Sequence, residues 1–522
     1  MRTYQKAFGI VLLALLPATL TAQNFVYTND DNPTVNGNTV TAFAVDANGA
    51  LSQLSCSPIA TGGTGGGGGF FASSRIVTAG DYLYAANGGS NSVSGFTVNQ
   101  TTGCLTPVSS TPFATGGTGG SNGISLAATP DAKYLYAGNA GSENIAVFSI
   151  GSGGTLAPVG SLVSVAGEPA GMKVSPDGKY LVIALPLGSS GSVNKIAVFS
   201  IGSGGALTPV TGSPFTSLGP DAADVDINCS STQLFVGNAT LGATEVDVFN
   251  FPPSGGSMTE IEGSPFAGAS SPSSQNSNVV TLSPDGSELF VSNQASNSLT
   301  VFTVGAGGAL TLVPGSPFTG GVGGIPGGLA TDQAGASLYS ANVSGTVSSL
   351  GIGSGGTLGG VTGSPFSDPN ASHLESLAAY PRATCSNSVP FSSFSASLDI
   401  FAATDTTPGG FDLNGTFTPG SGGSINPLSS PVAVQVGPSY SFTIPAGSFS
   451  PITNGNFVGG YAFSGKIGGV AIQVQIDLLQ GGSYQIKVDA SGIDLASLTS
   501  PVNVTLAIGN ATGTTQAKTD FE

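Results

Sequence analysis

The sequence lacks tryptophan altogether, contains a single histidine, His373, and has 11 lysine and arginine residues among 522. Its 28 acidic residues give a formal net charge of −17. Without a basic cluster to replace condensed counterions, a nucleic acid or an anionic membrane surface is a poor partner, so we expect neither. The absence of indole rings also weakens the hypothesis of a carbohydrate-associated module, because there is no Trp to stack on sugar rings.

Long helices are excluded by a high density of residues that interrupt them. The chain has 81 glycines and 33 prolines, which favour many short strands joined by turns. Hydrophobic residues make up 39% of the chain, with 28 Phe and 12 Tyr, so cores can form and general disorder is unexpected.

Long apolar runs are absent except at the N-terminus. Arg2 and Lys6 precede a ten-residue apolar stretch at 7–16, Pro17 interrupts it, and Ala22 offers a small residue before a cut at Gln23. A membrane anchor needs about 20 apolar residues. We therefore predict a cleaved signal peptide at 1–22, no transmembrane segment in the mature chain, and a location that is secreted, periplasmic or on the cell surface.

Four strand motifs repeat along residues 23–382. An aromatic or aliphatic strand occurs seven times at intervals averaging about 52 residues, as FVYTN at 25, YLYAAN at 82, YLYAGN at 134, YLVIAL at 180, QLFVGN at 233, ELFVSN at 288 and SLYSAN at 337. A second strand such as IAVFSI follows each, then a Gly-rich hairpin and a third strand ending near Gly-Ser-Pro-Phe. A fourth motif precedes the first, with SPDG turns. Four strands in each of seven units predict a seven-bladed β-propeller.

The two ends of the repeat region predict how the ring closes. The mature chain starts directly with an aromatic strand at Phe25, and an unmatched strand follows the last repeat at 374–380. Pairing these two segments would complete blade one from both chain ends and remove two exposed edges.

After residue 382 the repeat stops. A Ser-rich segment at 383–396 is predicted to be a linker, and 397–522 to be an antiparallel β-sandwich. Eight strands are predicted, at 397–401, 411–417, 432–436, 440–444, 461–467, 470–478, 483–488 and 502–508.

The repeat unit, with its SPDGKYL turn, IAVFSI strand and GGALTPVTGSPF exit, resembles the lactonase-type seven-bladed β-propeller family, which includes 6-phosphogluconolactonase and carboxymuconate cyclase. The resemblance covers residues 24–382 and implies the fold more strongly than an activity. Family enzymes look as if they place Gly-Pro-Arg-His at the channel mouth. Here Glu168-Pro169-Ala170-Gly171 is the best match, so Ala170 and Gly171 stand where Arg and His would.

One set of polar positions nevertheless recurs at the start of the inner strands, eight residues before the turn: Asn122, Glu168, Asp221, Asn276 and His373. We predict that they form a ligand-binding rim at the upper channel mouth, although rim residues are also polar simply because they meet water. Glu168, Asp221 and His373 are the candidates for catalysis, and no arginine is expected beside His373.

Other candidates are weaker. Asp224, Asp226, Lys173 and Glu375 can line the channel, where a solvated shaft is the plainer interpretation. Asp30-Asp31-Asn32 lacks the Glu and Gly spacing of a calcium loop. The glycine run at 62–69 lacks the Lys and Ser or Thr of a phosphate loop and is predicted to be a flexible connector. No nucleophile elbow is present. We expect no cofactor and no metal.

The four cysteines, Cys56, Cys104, Cys229 and Cys385, favour disulfides in an exported chain. Three connectivities are open, and we favour Cys56 with Cys104 and Cys229 with Cys385, since the first pair joins neighbouring blades.

Two functions stay open. The missing His and Arg favour a non-catalytic exported scaffold that binds an unidentified protein, glycan or small molecule. The alternative is a lactonase-like hydrolase or isomerase that acts on a small organic acid lactone at the upper mouth.

Overall fold

The computed structural model describes residues 24–68, 74–186, 195–217, 219, 221–253, 256–276, 279–385, 389–403, 408–419, 425–428, 432–437, 440–445, 447–454, 457–495, 498–508 and 511–521. The predicted signal peptide at 1–22 lies outside these residues. The chain divides into two compact units, residues 1–283 with 288–383 and residues 284–287 with 384–522.

The first unit is a seven-bladed propeller, as predicted. Blade 1 consists of β33 (Leu377–Tyr380), β1 (Phe25–Asn29), β2 (Thr39–Val45), β3 (Leu51–Gln53) and β4 (Ile59–Ala60). Blade 2 consists of β5 (Ile76–Ala79), β6 (Tyr82–Asn87), β7 (Ser92–Val98), β8 (Leu105–Pro107) and β9 (Phe113–Ala114). Blade 3 consists of β10 (Ile124–Ala128), β11 (Tyr134–Asn139), β12 (Asn144–Ile150), β13 (Leu156–Pro158) and β14 (Val163–Ser164).

The remaining blades follow the same antiparallel order. Blade 4 consists of β15 (Met172–Val174), β16 (Tyr180–Leu185), β17 (Lys195–Ile201), β18 (Leu207–Pro209) and β19 (Phe215–Thr216). Blade 5 consists of β20 (Ala222–Ile227), β21 (Gln233–Asn238), β22 (Thr240–Asn250) and β23 (Phe266–Asn276). Blade 6 consists of β24 (Val280–Leu282), β25 (Glu288–Asn293), β26 (Ser298–Val304) and β27 (Leu310–Leu312). Blade 7 consists of β28 (Pro326–Thr331), β29 (Ser337–Asn342), β30 (Thr346–Ile352), β31 (Leu358–Gly360) and β32 (Phe366–Ser367).

Ring closure by strands from both chain ends is confirmed. β33 pairs antiparallel with β1, from Phe25 opposite Tyr380 to Thr28 opposite Leu377. The hydrophobic cores lie between blades: each cluster joins the apolar faces of two neighbours, as where Tyr27 of blade 1 packs with Leu83 of blade 2. The same arrangement joins blade 7 to blade 1 through Tyr339 and Val26. Closing the ring therefore buries apolar surface at every blade.

The repeated tyrosine and asparagine of the aromatic strands both make hydrogen bonds that hold the ring together. Tyr27 Oη donates a hydrogen bond to the Gly103 carbonyl of the next blade, at 2.8 Å, and Tyr84 does the same to Gly154. The Asn87 side chain does both: its Nδ2 donates to Ser94 Oγ within its own blade at 2.8 Å, and its Oδ1 accepts from Asn38 Nδ2 of blade 1 at 3.0 Å. The repeat therefore fixes both blade-to-blade contacts and the hairpin of each blade.

The short helical segments are all 3₁₀ turns: Gly88–Ser90, Gly120–Asn122, Ser152–Gly154, Ser203–Gly205, Gln294–Ser296, Ala306–Gly308, Ser354–Gly356 and Gln480–Gly482. Among the described residues, no helix has the length and apolar character needed to cross a membrane.

The second unit is a single curled sheet of ten strands: β34 (Val389–Phe401), β35 (Gly410–Pro419), β36 (Val432–Val436), β37 (Tyr440–Ile444), β38 (Ser450–Asn454), β39 (Phe457–Ile467), β40 (Val470–Leu478), β41 (Tyr484–Ser491), β42 (Val502–Ile508) and β43 (Ala511–Phe521). Their spatial order is β37-β36-β42-β43-β34-β35-β41-β40-β39-β38. One buried core unites both halves, with Leu398 and Val474 from one and Val434 and Leu506 from the other. This arrangement agrees with the predicted sandwich, with two additional strands, β38 and β43, and one parallel pair, β34 with β43. The linker predicted at 383–396 is too long, because β34 begins at Val389 and residues 389–396 belong to the sheet.

The cysteines are oxidised. Cys56 and Cys104 form a disulfide with a Cα–Cα distance of 5.9 Å, as predicted, and it joins blade 1 to blade 2. Cys229 and Cys385 are also disulfide-bonded, so none of the four cysteines is free.

Candidate functional site

The inner strands β33, β5, β10, β15, β20, β24 and β28 surround the propeller axis. We call the end of the channel where these strands begin the upper mouth. Arg75 immediately precedes β5 there, and its side chain is 2% exposed. Its guanidinium forms an ion pair through Nη1 with Asp31 Oδ2 of blade 1, and its Nη2 donates to the Asn122 carbonyl of blade 3 at 3.2 Å. Arg75 therefore stands at the same mouth as the predicted rim residue Asn122, and its described side-chain partners are Asp31 and Asn122.

The backbone of Arg75 adds further links between blades. Its amide donates to Ser376 Oγ at 3.0 Å, and its carbonyl accepts from Asn29 Nδ2 at 3.2 Å. Burial lowers the pKa of the Arg75 guanidinium, while the nearby Glu375 carboxylate acts in the opposite direction. A single residue thus connects blades 1, 2 and 3.

The glycine run predicted to be a flexible connector packs over this ion pair. The Gly66 amide donates to Asp31 Oδ1 at 2.6 Å, and the Gly65 amide donates to the Asn32 carbonyl at 2.8 Å. A Cβ at Gly66 would lie 3.3 Å from Arg75 Nη1, so a side chain there would crowd the guanidinium. Hydrogen bonds hold the run from Gly63 to Gly67, so this part is an ordered cover and not a flexible connector, and residue 69 lies outside the described residues.

Glu375 is a buried carboxyl group at the mouth with altered acidity. It lies two residues before β33 and is 8% exposed. Burial raises the pKa of its carboxyl group to about 7, and the Arg75 charge limits that increase. Its main-chain carbonyl accepts from the Gly328 amide of blade 7 at 2.8 Å. A carboxyl group with this pKa can give or take a proton at neutral pH.

The structure brings some of the predicted rim residues together. Asn122 Nδ2 donates to Glu168 Oε2 at 2.5 Å, joining blades 3 and 4. His373 is half-buried beside the glycine cover, where a Cβ on Gly68 would lie 3.0 Å from its Cδ2. Asp221 directly precedes β20 with φ 66°. Asn276 belongs to β23, the outer strand of blade 5, where it pairs with Thr240, and its side chain lies outside the described part of the chain.

Three members of the second predicted set, Asp224, Asp226 and Lys173, lie within inner strands, whereas the fourth, Glu375, lies at the mouth. Asp224 Oδ2 accepts from the Val280 amide at 3.2 Å and Asp226 Oδ2 from the Leu282 amide at 2.9 Å. Lys173 Nζ lies 2.8 Å from Asp226 Oδ1. Burial raises the pKa of Asp224 to about 7. These hydrogen bonds join blades 5 and 6. Because both aspartates are buried, they do not line a solvated shaft.

Arg382 is also engaged within the ring. Its Nη1 donates to the Ala128 carbonyl at 3.3 Å. Burial lowers the pKa of its guanidinium, and the Asp226 charge opposes that shift. Arg75 is therefore the buried, ion-paired arginine of the ring, and Arg382 is partly buried with a hydrogen bond to blade 3.

The two carboxylates of the Asp30-Asp31-Asn32 segment are engaged with other groups of the propeller. Asp31 is paired with Arg75. Asp30 Oδ2 instead accepts from Thr39 Oγ1 at 2.5 Å and from Thr41 Oγ1 at 2.9 Å. Burial raises the pKa of Asp30, and the nearby charge of Asp368 raises it further. Within the described ranges, no three His, Cys, Asp or Glu side chains are grouped so as to hold a metal ion.

A match to a known protein family shows which family the chain belongs to. The family model described as "Lactonase, 7-bladed beta-propeller" matches residues 39–211 and 242–361, more than half of the chain. The chain belongs to this lactonase family. No curated protein matches it.

Solved structures similar to this lactonase-family chain share its fold at low sequence identity. A putative 6-phosphogluconolactonase of Bacteroides fragilis is 19% identical with a TM-score of 0.52, covering 70% of this chain and 99% of its own. The periplasmic gluconolactonase of Pseudomonas aeruginosa is 18% identical with a TM-score of 0.51, covering 69% and 99%. A putative 6-phosphogluconolactonase of Bacteroides uniformis has the same identity, TM-score and coverage.

Proposed function

We propose that this lactonase-family protein is an exported, non-catalytic scaffold whose upper mouth binds a neutral or cationic polar ligand. The observation that carries the proposal is the state of Arg75. A lactone hydrolase needs a positive or hydrogen-bonding group for the developing oxyanion, and an anionic substrate needs a charge partner. Here the guanidinium at the mouth is buried and already paired with Asp31.

The charge of the mouth supports the same ligand class. The carboxyl groups of Asp31, Glu168, Asp221 and Glu375 outnumber the guanidinium of Arg75 among the described mouth residues. A phosphate ester or carboxylate would therefore meet net repulsion in a site with reduced dielectric screening. A hydroxyl-rich or cationic ligand avoids that cost.

Export is supported by independent features. The N-terminal segment has the pattern of a signal peptide, and all four cysteines are oxidised, as is typical of proteins outside the cytosol. The Pseudomonas relative is named as periplasmic.

A second function, lactone hydrolysis, is favoured by one specific observation. Glu375 combines burial with a pKa of about 7 beside Arg75, which suits a general base that activates water. The relatives named as gluconolactonase and 6-phosphogluconolactonase make the corresponding lactones the appropriate test substrates.

The deciding experiment measures hydrolysis of δ-gluconolactone and 6-phosphogluconolactone by the purified full chain between pH 6 and 8. The scaffold proposal predicts rates equal to the uncatalysed background. The hydrolase alternative predicts saturable turnover with an inflection near pH 7. That turnover would be abolished by Glu375→Gln and retained by the matched carboxyl-to-amide control Glu288→Gln in β25, with both variants folded; this outcome would overturn the scaffold proposal.

A further inference from the structure

Two buried carboxyl groups meet where the propeller ring closes, between blades 7 and 1. Asp30 directly follows β1 and is fully buried, and Asp368 directly follows β32 and is 3% exposed. Thr28 Oγ1 of β1 lies 3.2 Å from Asp30 Oδ1 and 2.8 Å from Asp368 Oδ2. These two carboxylate oxygens are therefore within about 6 Å of each other, close enough for one charge to disfavour the other. We call Asp30 and Asp368 the seam carboxyls.

The charged groups around the seam carboxyls do not neutralise them. The ion pairs of the described residues are Arg75–Asp31, Lys133–Asp131, Lys173–Asp226 and Lys179–Asp177, and none includes a seam carboxyl. Two further titratable side chains, His373 and Glu375, lie on the segment that leads into β33. The charge acting on Glu375 is that of Arg75, and the His373 ring lies beside Gly68. Two ionised seam carboxyls would therefore be two uncompensated buried charges.

The hydrogen atoms available at the seam are too few for two ionised carboxylates. Two hydroxyls of β2 donate to Asp30 Oδ2 at 2.5 and 2.9 Å, and the Asn370 amide donates to Asp368 Oδ1 at 3.1 Å. The Thr28 hydroxyl faces the remaining oxygen of each carboxyl, but it has only one hydrogen. When Thr28 donates over the shorter distance to Asp368, Asp30 Oδ1 is left without a donor.

We propose that one proton, held between the seam carboxyls, acts as a pH-sensitive latch on the closure of the ring. In the closed state Asp30 Oδ1 carries the proton and donates to Thr28 Oγ1, and the Thr28 hydroxyl donates to Asp368 Oδ2. Each of the two contacts then has its own hydrogen, and the seam contains one buried negative charge instead of two. Loss of the proton leaves two buried carboxylates facing each other, which favours separation of the segments that carry them.

The latch acts on the segment 368–373, which carries His373 to the upper mouth. The Asp30 carbonyl accepts from the Ser372 amide at 2.9 Å and from the His373 amide at 3.4 Å. A change at Asp30 therefore reaches this segment through its backbone, before β33 begins at Leu377. We expect the segment to be held at acidic and neutral pH and released at alkaline pH. The inference rests on the ring closure and does not depend on the function proposed for the mouth.

The single histidine of the chain provides a specific probe, because its imidazole Cε1–H NMR signal reports on this segment alone. The test follows that signal against pH in the untagged full chain. Every protein carries Glu375→Gln, because Glu375 lies two residues from His373 and titrates near pH 7. Burial and the Asp368 charge raise the pKa of Asp30 to about 8, so we expect an alkaline inflection of the signal near that pH.

Two variants of the same size assign the inflection. Asp30→Asn should abolish it, because the amide Nδ2 can donate to Thr28 Oγ1 as the protonated carboxyl does, and it cannot ionise. Asp368→Asn should move the inflection down by about one pH unit or more, because it removes a like charge. Asp46→Asn is the matched control and should leave the inflection in place. Asp46 is an exposed carboxyl of the β2–β3 hairpin in the same blade.

Hydrogen exchange of the Ser372 and His373 amides in the same proteins measures opening of the segment. Because opening releases the proton, the opening constant should rise about tenfold per pH unit from about pH 6 to about pH 8 and then level off. In Asp30→Asn it should not change with pH once intrinsic exchange rates are divided out.

Three outcomes would overturn the proposal. The first is a His373 signal without an alkaline inflection. The second is an inflection that persists unchanged in Asp30→Asn or is lost in Asp46→Asn. The third is an opening constant independent of pH with both seam carboxyls intact, which would show that the pair does not hold the segment.

Discussion

At the scale of single residues, the upper mouth is organised by Arg75. Residues 23–522 contain two arginines, and one of them, Arg75, directly precedes an inner strand. This position could have identified Arg75 as a mouth residue, but the search for the Gly-Pro-Arg-His motif did not consider it. Its partners lie 44 positions upstream and 47 downstream, at Asp31 and Asn122. Such contacts follow from the ring geometry and not from local spacing, so the rim was predictable as a set of polar positions and the ion pair was not.

The pH dependence of stability should report on Glu375. Its pKa rises from 4.5 unfolded to about 7 folded, so its favourable contribution is complete below about pH 4.5 and is lost as pH rises through 7. The Glu375→Gln side chain cannot ionise. We therefore expect the free energy of unfolding of this variant, relative to that of wild type, to increase by about 2 kcal/mol as the pH is raised from 5 to 9. Urea unfolding at both pH values measures this change. A constant difference between the two proteins would contradict the assigned pKa.

At the scale of strands, period-two hydrophobic alternation predicted most elements. β36, β37, β40 and β42 coincide with their predicted bounds. β38 was missed because it contains Pro451 and its apolar Ile452 is 37% exposed. β43 was missed because it buries only small side chains, Ala511 and Ala517, and so carries little hydrophobic signal. Its parallel pairing with β34 joins segments that are distant in sequence, which no local pattern encodes.

The disulfide between blades 1 and 2 should stabilise the propeller substantially. Cys56 and Cys104 are 48 residues apart, and closing a loop of that length removes about 4 kcal/mol of unfolded-state entropy in the chain-entropy description. We expect Cys56→Ser/Cys104→Ser to lower Tm by several degrees without loss of the β-sheet circular dichroism signal. A Tm equal to that of the wild type would show that the crosslink leaves the folding equilibrium unchanged.

At the scale of the whole molecule, the ring is stabilised by pairing between the first and the last strand of the propeller, β1 and β33. The sequence predicted this closure because the repeats begin and end out of phase. All four residues of β33 are buried, including Leu377 and Tyr380.

Replacing residues 377–380 with Gly-Ser-Gly-Ser removes this buried surface. We expect it to lower the free energy of unfolding of the propeller by more than about 4 kcal/mol, because large apolar side chains are lost from a packed core. The control replaces the outer strand Leu358–Gly360 with Gly-Ser-Gly and should cost much less, since two of its three residues are exposed. Equal losses in the two proteins would argue against closure through blade 1.

The most direct measurement of the central claim is a double-mutant cycle on the Arg75–Asp31 pair. If the arginine at the mouth is structural, Arg75→Met should cost about 3 to 5 kcal/mol of unfolding free energy, because it leaves Asp31 buried without its counterion. Adding Asp31→Asn should recover at least about 2 kcal/mol of that loss. The exposed pair Lys133–Asp131 provides the control, and Lys133→Met should leave the free energy of unfolding almost unchanged. The account would be contradicted if the Arg75→Met protein were as stable as wild type and showed no coupling to Asp31. Arg75 would then be a candidate for binding a substrate.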